Sequence, residues 1–358
     1  EEENYFFALS KYSDRLLAHI NEHPDFIVPA SRSAEVLGFI RQGLLDFPVS
    51  RVVRPGMARW GVPVPGDEKQ VIYVWFDALT NYLTAVGFPH DTATFERYWP
   101  ADAHVIGKDI TRFHCLYWPA MLLSAGLPLP RQVAVHGFLT LEGQRISKST
   151  GNVIDPVELV DSFGADAVRY YLLRNLSFAS DENFSRTAFI RHYNDELANE
   201  LGNLLNRVVT MINRYRGGAI PSAGPTGELE EDIQRAAVEA RSRSEAALER
   251  WDIGGSLSTI WSVVRQTNQY IERCEPWKLA RQPDQQSRLD TVLYTAAEVT
   301  RLLAIFLAPY IPTASNNIMH QLGLETTATT SWAQQQTWGS RSFTRVNAGP
   351  LLFPRIEN

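Results

Sequence analysis

Apolar side chains recur every three or four positions through Ile190, Tyr193, Leu197, Leu201, Leu204, Val208 and Ile212, a spacing that lays one apolar stripe along an α-helix. Similar periodicity predicts helices near 227–251, 253–275, 286–307 and 311–322, with Gly217-Gly218 and Pro221–Gly227 as the breaks between the first two. The first 150 residues are organised differently. Tyr5-Phe6-Phe7 reads as a strand, followed by helical spacing at Leu9, Tyr12, Leu16, Leu17 and Ile20, a second helix near Ser33–Gly43, and a Val- and Pro-rich connector over Arg51–Asp67. From Gln70 strands and helices alternate. Val71–Phe76 is a continuous apolar run, as expected of a strand buried on both faces. A helical stretch to Val86, a strand at His104–Gly107, a helix over Asp109–Ala125 and a strand at Gln132–His136 come next. Such alternation predicts a parallel α/β sheet, whose strand ends would bring Trp75 and Asp77, Gly107, Lys108 and Asp109, and His136 and Gly137 to one edge. Past residue 150 no further strand is expected. Asp155-Pro156 starts a helix that Gly164 ends, Ala165–Leu176 forms the next, and the Thr-, Gln- and Ser-rich end is expected to dock through Leu351–Pro354.

Composition narrows the class without choosing a function. A length of 358 residues suggests roughly two to three domains, and 44% hydrophobic with 21% charged residues describes a globular protein with ample core. No apolar run approaches the ~20 residues of a membrane span, and the acidic start Glu1-Glu2-Glu3-Asn4 is the opposite of a secretory leader. A cytoplasmic location is therefore expected. Cys115 and Cys274 have no CxxC or histidine partner at ligand spacing, so no metal site is predicted and a reduced pair is the plainer reading. With a net charge of −6, any nucleic-acid surface must be a local basic patch.

Several segments carry candidate chemistry, each with a plainer alternative. Arg145-Ile146-Ser147-Lys148-Ser149-Thr150, followed by Gly151-Asn152, sets two serine hydroxyls around a lysine just after a predicted hairpin turning at Glu142-Gly143-Gln144. Such a loop can grip a polyphosphate, although most Ser-Lys-Ser triplets are solvated surface. Trp75-Phe76-Asp77-Ala78 with Tyr82 puts aromatics at a strand-to-helix junction, as core or as the wall of a small apolar pocket. Gly107-Lys108-Asp109 opens a helix after a strand. The glycine could serve a simple turn and Asp109 an N-cap, or the exposed amides and Lys108 could attract phosphate. Phe113-His114 lies one turn further on, facing the same edge, and His136 ends the next strand. In the helical half Asn199, Asn203 and Arg207 share a face. Asparagine amides can read base edges and arginine can hold phosphate, but mid-helix asparagines are more often plain surface. Pro276-Trp277 is either a core wedge or a platform for an unpaired base.

Taken together, these residues resemble the class I aminoacyl-tRNA synthetases, and within them the methionyl-tRNA synthetases of bacterial or organellar type. The resemblance rests on Glu2–Phe7, Trp60–Asp67, Tyr73–Tyr82 (YVWFDALTNY), His104–Asp109 (HVIGKD), Tyr117–Ala120, Leu123–Pro130 (LSAGLPLP), His136–Phe138, Gly151–Val153 and Leu197–Leu204 (LANELGNL), nearly the whole chain. It implies the second half of a Rossmann-like class I catalytic domain followed by an α-helical anticodon-binding bundle. The expected divisions are 1–60, the remainder of a connective insertion; 61–150, the catalytic half with its signature loop; 151–185, a stem-contact linker; 186–335, the anticodon-binding domain; and 336–358, a tail. The implied reaction is attack of the methionine carboxylate on the α-phosphate of ATP, with Mg2+, then transfer of the methionyl group to tRNA(Met).

By this resemblance Lys148, with Arg145, Ser147 and Ser149, forms the second signature loop. Arg145 stands for the family's first lysine and Ile146 for its methionine. Gly107, Lys108, Asp109, His136 and Lys148 would contact ATP. Trp75, Ala78, Leu79, Tyr82, Phe113 and His114 would surround the methionine side chain, with Leu79 where some relatives carry proline. Asn199, Asn203, Arg207 and Trp277 match positions that read the anticodon. The family's first signature, His-Ile-Gly-His, and its zinc-knuckle cysteines do not occur in these residues. The chain is therefore expected to carry no zinc and to need a separate amino-terminal half as partner. Two other readings stay open: a non-catalytic tRNA-binding fragment, and a class I synthetase for another aliphatic amino acid.

Overall fold

The computed structural model describes residues 3–53, 61–145, 154–324 and 332–357. They form two compact units, the first comprising Glu1–Phe138 with Phe178–Asp181, the second Leu139–Ser177 with Glu182–Asn358.

The strands of the first unit are β1 (Phe6–Phe7), β2 (Ile27–Val28), β3 (Phe47–Pro48), β4 (Ser50–Val52), β5 (Pro63–Val64), β6 (Asp67–Ile72), β7 (His104–Gly107) and β8 (Val133–His136). Its central sheet is parallel, in the order β2-β8-β7. Val133, Ala134 and Val135 on the middle strand are fully buried, as an apolar run covered on both faces should be. Leu16, Ile20, Val36 and Ile40 from the first two helices, and Trp118 and Leu122 from the Trp118–Ala125 helix, belong to the same core.

One expected strand is misplaced. Val71–Phe76 does not join this sheet: β6 ends at Ile72 and pairs antiparallel with β4 and β5 in a sheet of its own. After Tyr73 the chain turns helical over Val74–Ala78, where the amides of Phe76 and Asp77 donate to the Tyr73 carbonyl. Val74 is 62% exposed while Trp75 and Phe76 are half-buried. Burial on one side only suits a helical turn and not a doubly covered strand. The place beside β8 is taken by β2, whose two residues are too short to show a period.

The second unit begins with a small sheet in which β9 (Leu139–Leu141) pairs antiparallel with β10 (Gln144–Arg145) and parallel with β11 (Glu182–Phe184). The predicted hairpin is present. Its two turn residues, Glu142 and Gly143, have φ of 48° and 78°, the paired positive values of a type I′ turn. The expectation that strands cease at residue 150 fails at β11, again a segment too short to be read from alternation. Asp155 caps the Pro156–Phe163 helix by accepting from the Val157 amide at 2.8 Å. Helix then runs through Arg186–His192, a wider π-type stretch at Tyr193–Gly202, and Asn203–Arg216. Helices at Glu228–Glu249, Ile253–Cys274, Gln286–Leu307 and Pro312–Gln321 stand at the places the periodicity predicts.

The Gln286–Leu307 helix is buried almost all round. It carries an ion pair of zero exposure, Glu298–Arg301 at 2.6 Å. Arg301 also donates to the carbonyls of Gln335 and Thr337, and the Gly339 amide donates to Glu298. The pair thereby pins the segment that leads into the carboxyl-terminal stretch, which docks through buried Phe353, edge-on to Tyr193 at 5.9 Å, while Leu351 stays exposed. Both cysteines are free. Removing one partner of a buried pair leaves the other charge uncompensated, so Glu298→Gln should cost about 3–5 kcal/mol. In urea titrations followed by circular dichroism the midpoint of helix loss should fall accordingly; an unchanged midpoint would contradict this role.

Candidate functional site

Parallel pairing of β7 with β8 sets Gly107 opposite His136. A side chain at position 107 would meet the carboxylate tip of exposed Asp109 at 2.9 Å and make an ordinary 3.7 Å contact with His136 Cε1. The His136 Nδ1 lies 2.8 Å from the Gly137 carbonyl. A bond there requires the proton on Nδ1, which leaves Nε2 as the acceptor face. Asp109 is exposed and does not cap: the short turn Lys108–Ile110 comes after Gly107 without a side-chain cap.

Lys108 is held in place. Its ammonium pairs with Asp181 at 2.7 Å and sits 4.6 Å over the Phe138 ring. Asp181 also accepts from the Phe138 amide at 2.9 Å. The bond from Lys108, then that from Phe138, holds the Asp181 carboxyl below the usual carboxylate range. Gly137 packs directly on Ser180, whose carbonyl any side chain at 137 would strike. No sequence signal points to Asp181, because its partner lies 73 residues away.

The expected aromatic wall is assembled on the neighbouring turns. Trp75 stacks on Phe113 at 4.1 Å and 17°, while Leu79 is buried and Ala78 half-buried beside them in sequence. His114 lies in a π-type turn, Phe113–Tyr117, a widening often found at functional positions. Its Nδ1 donates to the Ile110 carbonyl at 3.1 Å, so its Nε2 accepts from the Tyr82 hydroxyl at 2.9 Å. Burial lowers the His114 pKa, which keeps the ring neutral and the tautomer fixed. Sequence reasoning missed the residues behind this pair. His104 packs against Tyr82 at 4.3 Å and accepts from the Trp118 indole at 3.2 Å. Burial, reinforced by His114, pushes His104 from 6.5 down to about 4.

In the second unit Asn199, Asn203 and Arg207 line one open groove of about 510 Å³, with Glu200, Arg265, Asn268 and Glu272 among the other walls. Both asparagines are exposed. Arg207 pairs with Glu272 at 2.7 Å and reaches Asn268 at 3.4 Å. Trp277 is not among the lining residues. It is half-buried against the helical core, just after Glu275 reverses the chain at φ 46°. Ser147, Lys148 and Ser149 lie outside the described residues, and only the backbone of Arg145 is described.

A family model of class I tRNA synthetases (M) matches residues 1–209, and one of the anticodon binding domain of methionyl tRNA ligase matches residues 220–356. The methionine–tRNA ligase of Caldanaerobacter subterraneus subsp. tengcongensis is 46% identical over 357 residues, covering 99% of this chain and 55% of that protein. That of Clostridium perfringens is 44% identical, with coverage of 100% and 55%. The chain thus spans about half the length of these relatives. A crystal structure of Mycobacterium tuberculosis methionyl-tRNA synthetase bound by methionyl-adenylate superposes with a TM-score of 0.92 at 39% identity, covering 99% of this chain and 69% of that one.

The depressed His104 pKa makes stability depend on pH. Above pH 6.5 neither the folded nor the unfolded imidazole is charged. Between 6.5 and about 4 the unfolded chain takes up a proton that the folded one refuses, so stability falls as pH falls, and no further below that. The window is worth about 3 kcal/mol. His104→Gln should flatten this part of the stability–pH curve in denaturant titrations, and a slope equal to the parent's would contradict the assignment.

Proposed function

The chain belongs to the class I tRNA synthetases of methionyl type, and on that footing we propose that it serves the ATP-dependent charging of tRNA(Met) with methionine in the cytoplasm. Residues 61–150 would supply half of the active site and the 186–335 helices the anticodon reader, with the remaining ATP contacts coming from an amino-terminal half. One observation carries the choice of amino acid: the hydrogen bond of Tyr82 to a neutral, tautomer-fixed His114 beside the Trp75–Phe113 stack. A thioether is apolar and polarisable, which suits aromatic walls, and its sulfur packs well at the edges of the Tyr82 and His114 rings. A branched aliphatic side chain would leave that pair without use.

In the first step a methionine carboxylate oxygen bonds to the α-phosphorus of ATP and pyrophosphate leaves, giving methionyl-adenylate. In the second, a hydroxyl of the tRNA terminal adenosine attacks the methionyl carbonyl and AMP leaves. Lys148 and Arg145 would stabilise charge on the departing phosphates, with Ser147 and Ser149 as further donors. Gly107 admits the nucleotide close to the backbone, and Asp109 and His136 Nε2 present polar atoms to it. Lys108 would meet phosphate by sharing or releasing Asp181. Magnesium would neutralise the triphosphate when bound. Among the described residues no group of three or more His, Cys, Asp or Glu could hold a metal.

In the native protein containing these residues, Tyr82→Phe should raise the KM for methionine in ATP–pyrophosphate exchange about tenfold, the worth of one hydrogen bond, with the KM for ATP unmoved. An unchanged methionine KM would refute the pocket. Trp277→Ala should weaken tRNA aminoacylation while sparing exchange, and equal loss in both assays would remove Trp277 from the anticodon reader.

A further inference from the structure

The groove that gathers Asn199, Asn203 and Arg207 lies along the Ile253–Cys274 helix, and a second groove adjoins it. The second, of about 390 Å³, is walled by this helix and by Glu228–Glu249, and the two grooves share Gln269 and Arg273. The helix therefore presents two polar stripes, each spaced by three and then four residues. One is 265, 268 and 272; the other is 266, 269 and 273.

The first stripe is internally satisfied. Arg265 pairs with Glu200 at 3.4 Å, Asn268 donates to the Glu200 carbonyl at 3.1 Å, and Glu272 holds Arg207. The second differs: Gln266, Gln269 and Arg273 are all exposed, and their side chains make no hydrogen bond or ion pair among the described residues. A guanidinium and two amides stand in a row with nothing to hold, on a surface continuous with the first groove.

We propose that this second stripe binds the sugar-phosphate backbone of RNA flanking the bases read in the first groove, with Arg273 holding one phosphate and Gln269 and Gln266 bonding to phosphate or ribose oxygens. This rests on the reading of the first groove as the anticodon site. A guanidinium offers two parallel N–H donors to a phosphate, and the amides add neutral donors that tolerate any sequence. The far wall limits the contact to one end. Asp232 lies there 3.4 Å from Arg235 and offsets its charge, and Glu239 repels phosphate. With two arginines against two carboxylates the groove as a whole is not a basic track, so a single phosphate is expected.

The test compares Arg273→Gln, Arg273→Lys and Asn203→Ala in the native protein, measuring tRNA aminoacylation over a salt series, ATP–pyrophosphate exchange and melting temperature. Arg273→Gln should lower kcat/KM for tRNA about fivefold at low salt. It should also flatten the slope of log(kcat/KM) against log[salt] by about 0.7, the value for one phosphate on a single strand. Arg273→Lys should keep the slope, and exchange should be unchanged in both Arg273 variants. An unaltered slope and kcat/KM in Arg273→Gln, with Asn203→Ala still impaired in aminoacylation, would overturn this proposal and leave the anticodon reading standing. No effect from either would overturn both, and a loss of exchange in Arg273→Gln would reduce Arg273 to a structural part.

Discussion

The parallel register of β7 on β8 is the constraint on which the first unit depends. It places Gly107 against His136, so that both segments leave the sheet at one edge. Space then dictates the residue at the second strand end: position 137 can hold no side chain without striking the Ser180 carbonyl, whereas at 107 the nearest atom is the tip of the exposed Asp109 carboxylate. The two strand ends carry Lys108, Asp109 and His136 at one edge. Phe178–Asp181, contributed from far along the chain, fixes the lysine through Asp181. A site built this way has its charges oriented before any ligand arrives, which is where electrostatic stabilisation of a leaving group is most effective.

The aromatic wall reflects a second balance. Burying two imidazoles costs stability at low pH, since neither His104 nor His114 readily takes a proton. The return is definition. A neutral ring with Nδ1 committed to Ile110 has one acceptor and one orientation, and the Tyr82 hydroxyl is set by it. The widened turn at Phe113–Tyr117 lets Phe113 face Trp75 while His114 meets Tyr82.

Much of this was legible in the residues because strong local rules agreed. The bundle helices announced themselves by long apolar periods, and Glu142-Gly143 by the turn that their positive φ values require. Gly107 and His136 could be placed at one edge because each ends a short run of β-branched and apolar residues, Val105-Ile106 and Val133–Val135. The rest was hidden for definable reasons. Val71–Phe76 is apolar throughout, so its composition could not tell a doubly buried strand from a strand that turns helical at Val74. Strands β2 and β11 are too short to carry a period. Asp181 on Lys108, Glu272 on Arg207 and Glu298 with the 335–339 segment are pairings chosen by tertiary structure. Whether a given arginine is engaged, like Arg207, or open, like Arg273, cannot be decided from spacing at all.

The proposed selection of methionine for reaction with ATP rests on the aromatic wall around Tyr82 and His114. Amino-acid-dependent ATP–pyrophosphate exchange by the native protein tests that assignment without intermediaries, comparing methionine with leucine and valine at equal concentration. Exchange with methionine, and little with either aliphatic competitor, is the expected result. Exchange supported by leucine or valine but not by methionine would contradict it.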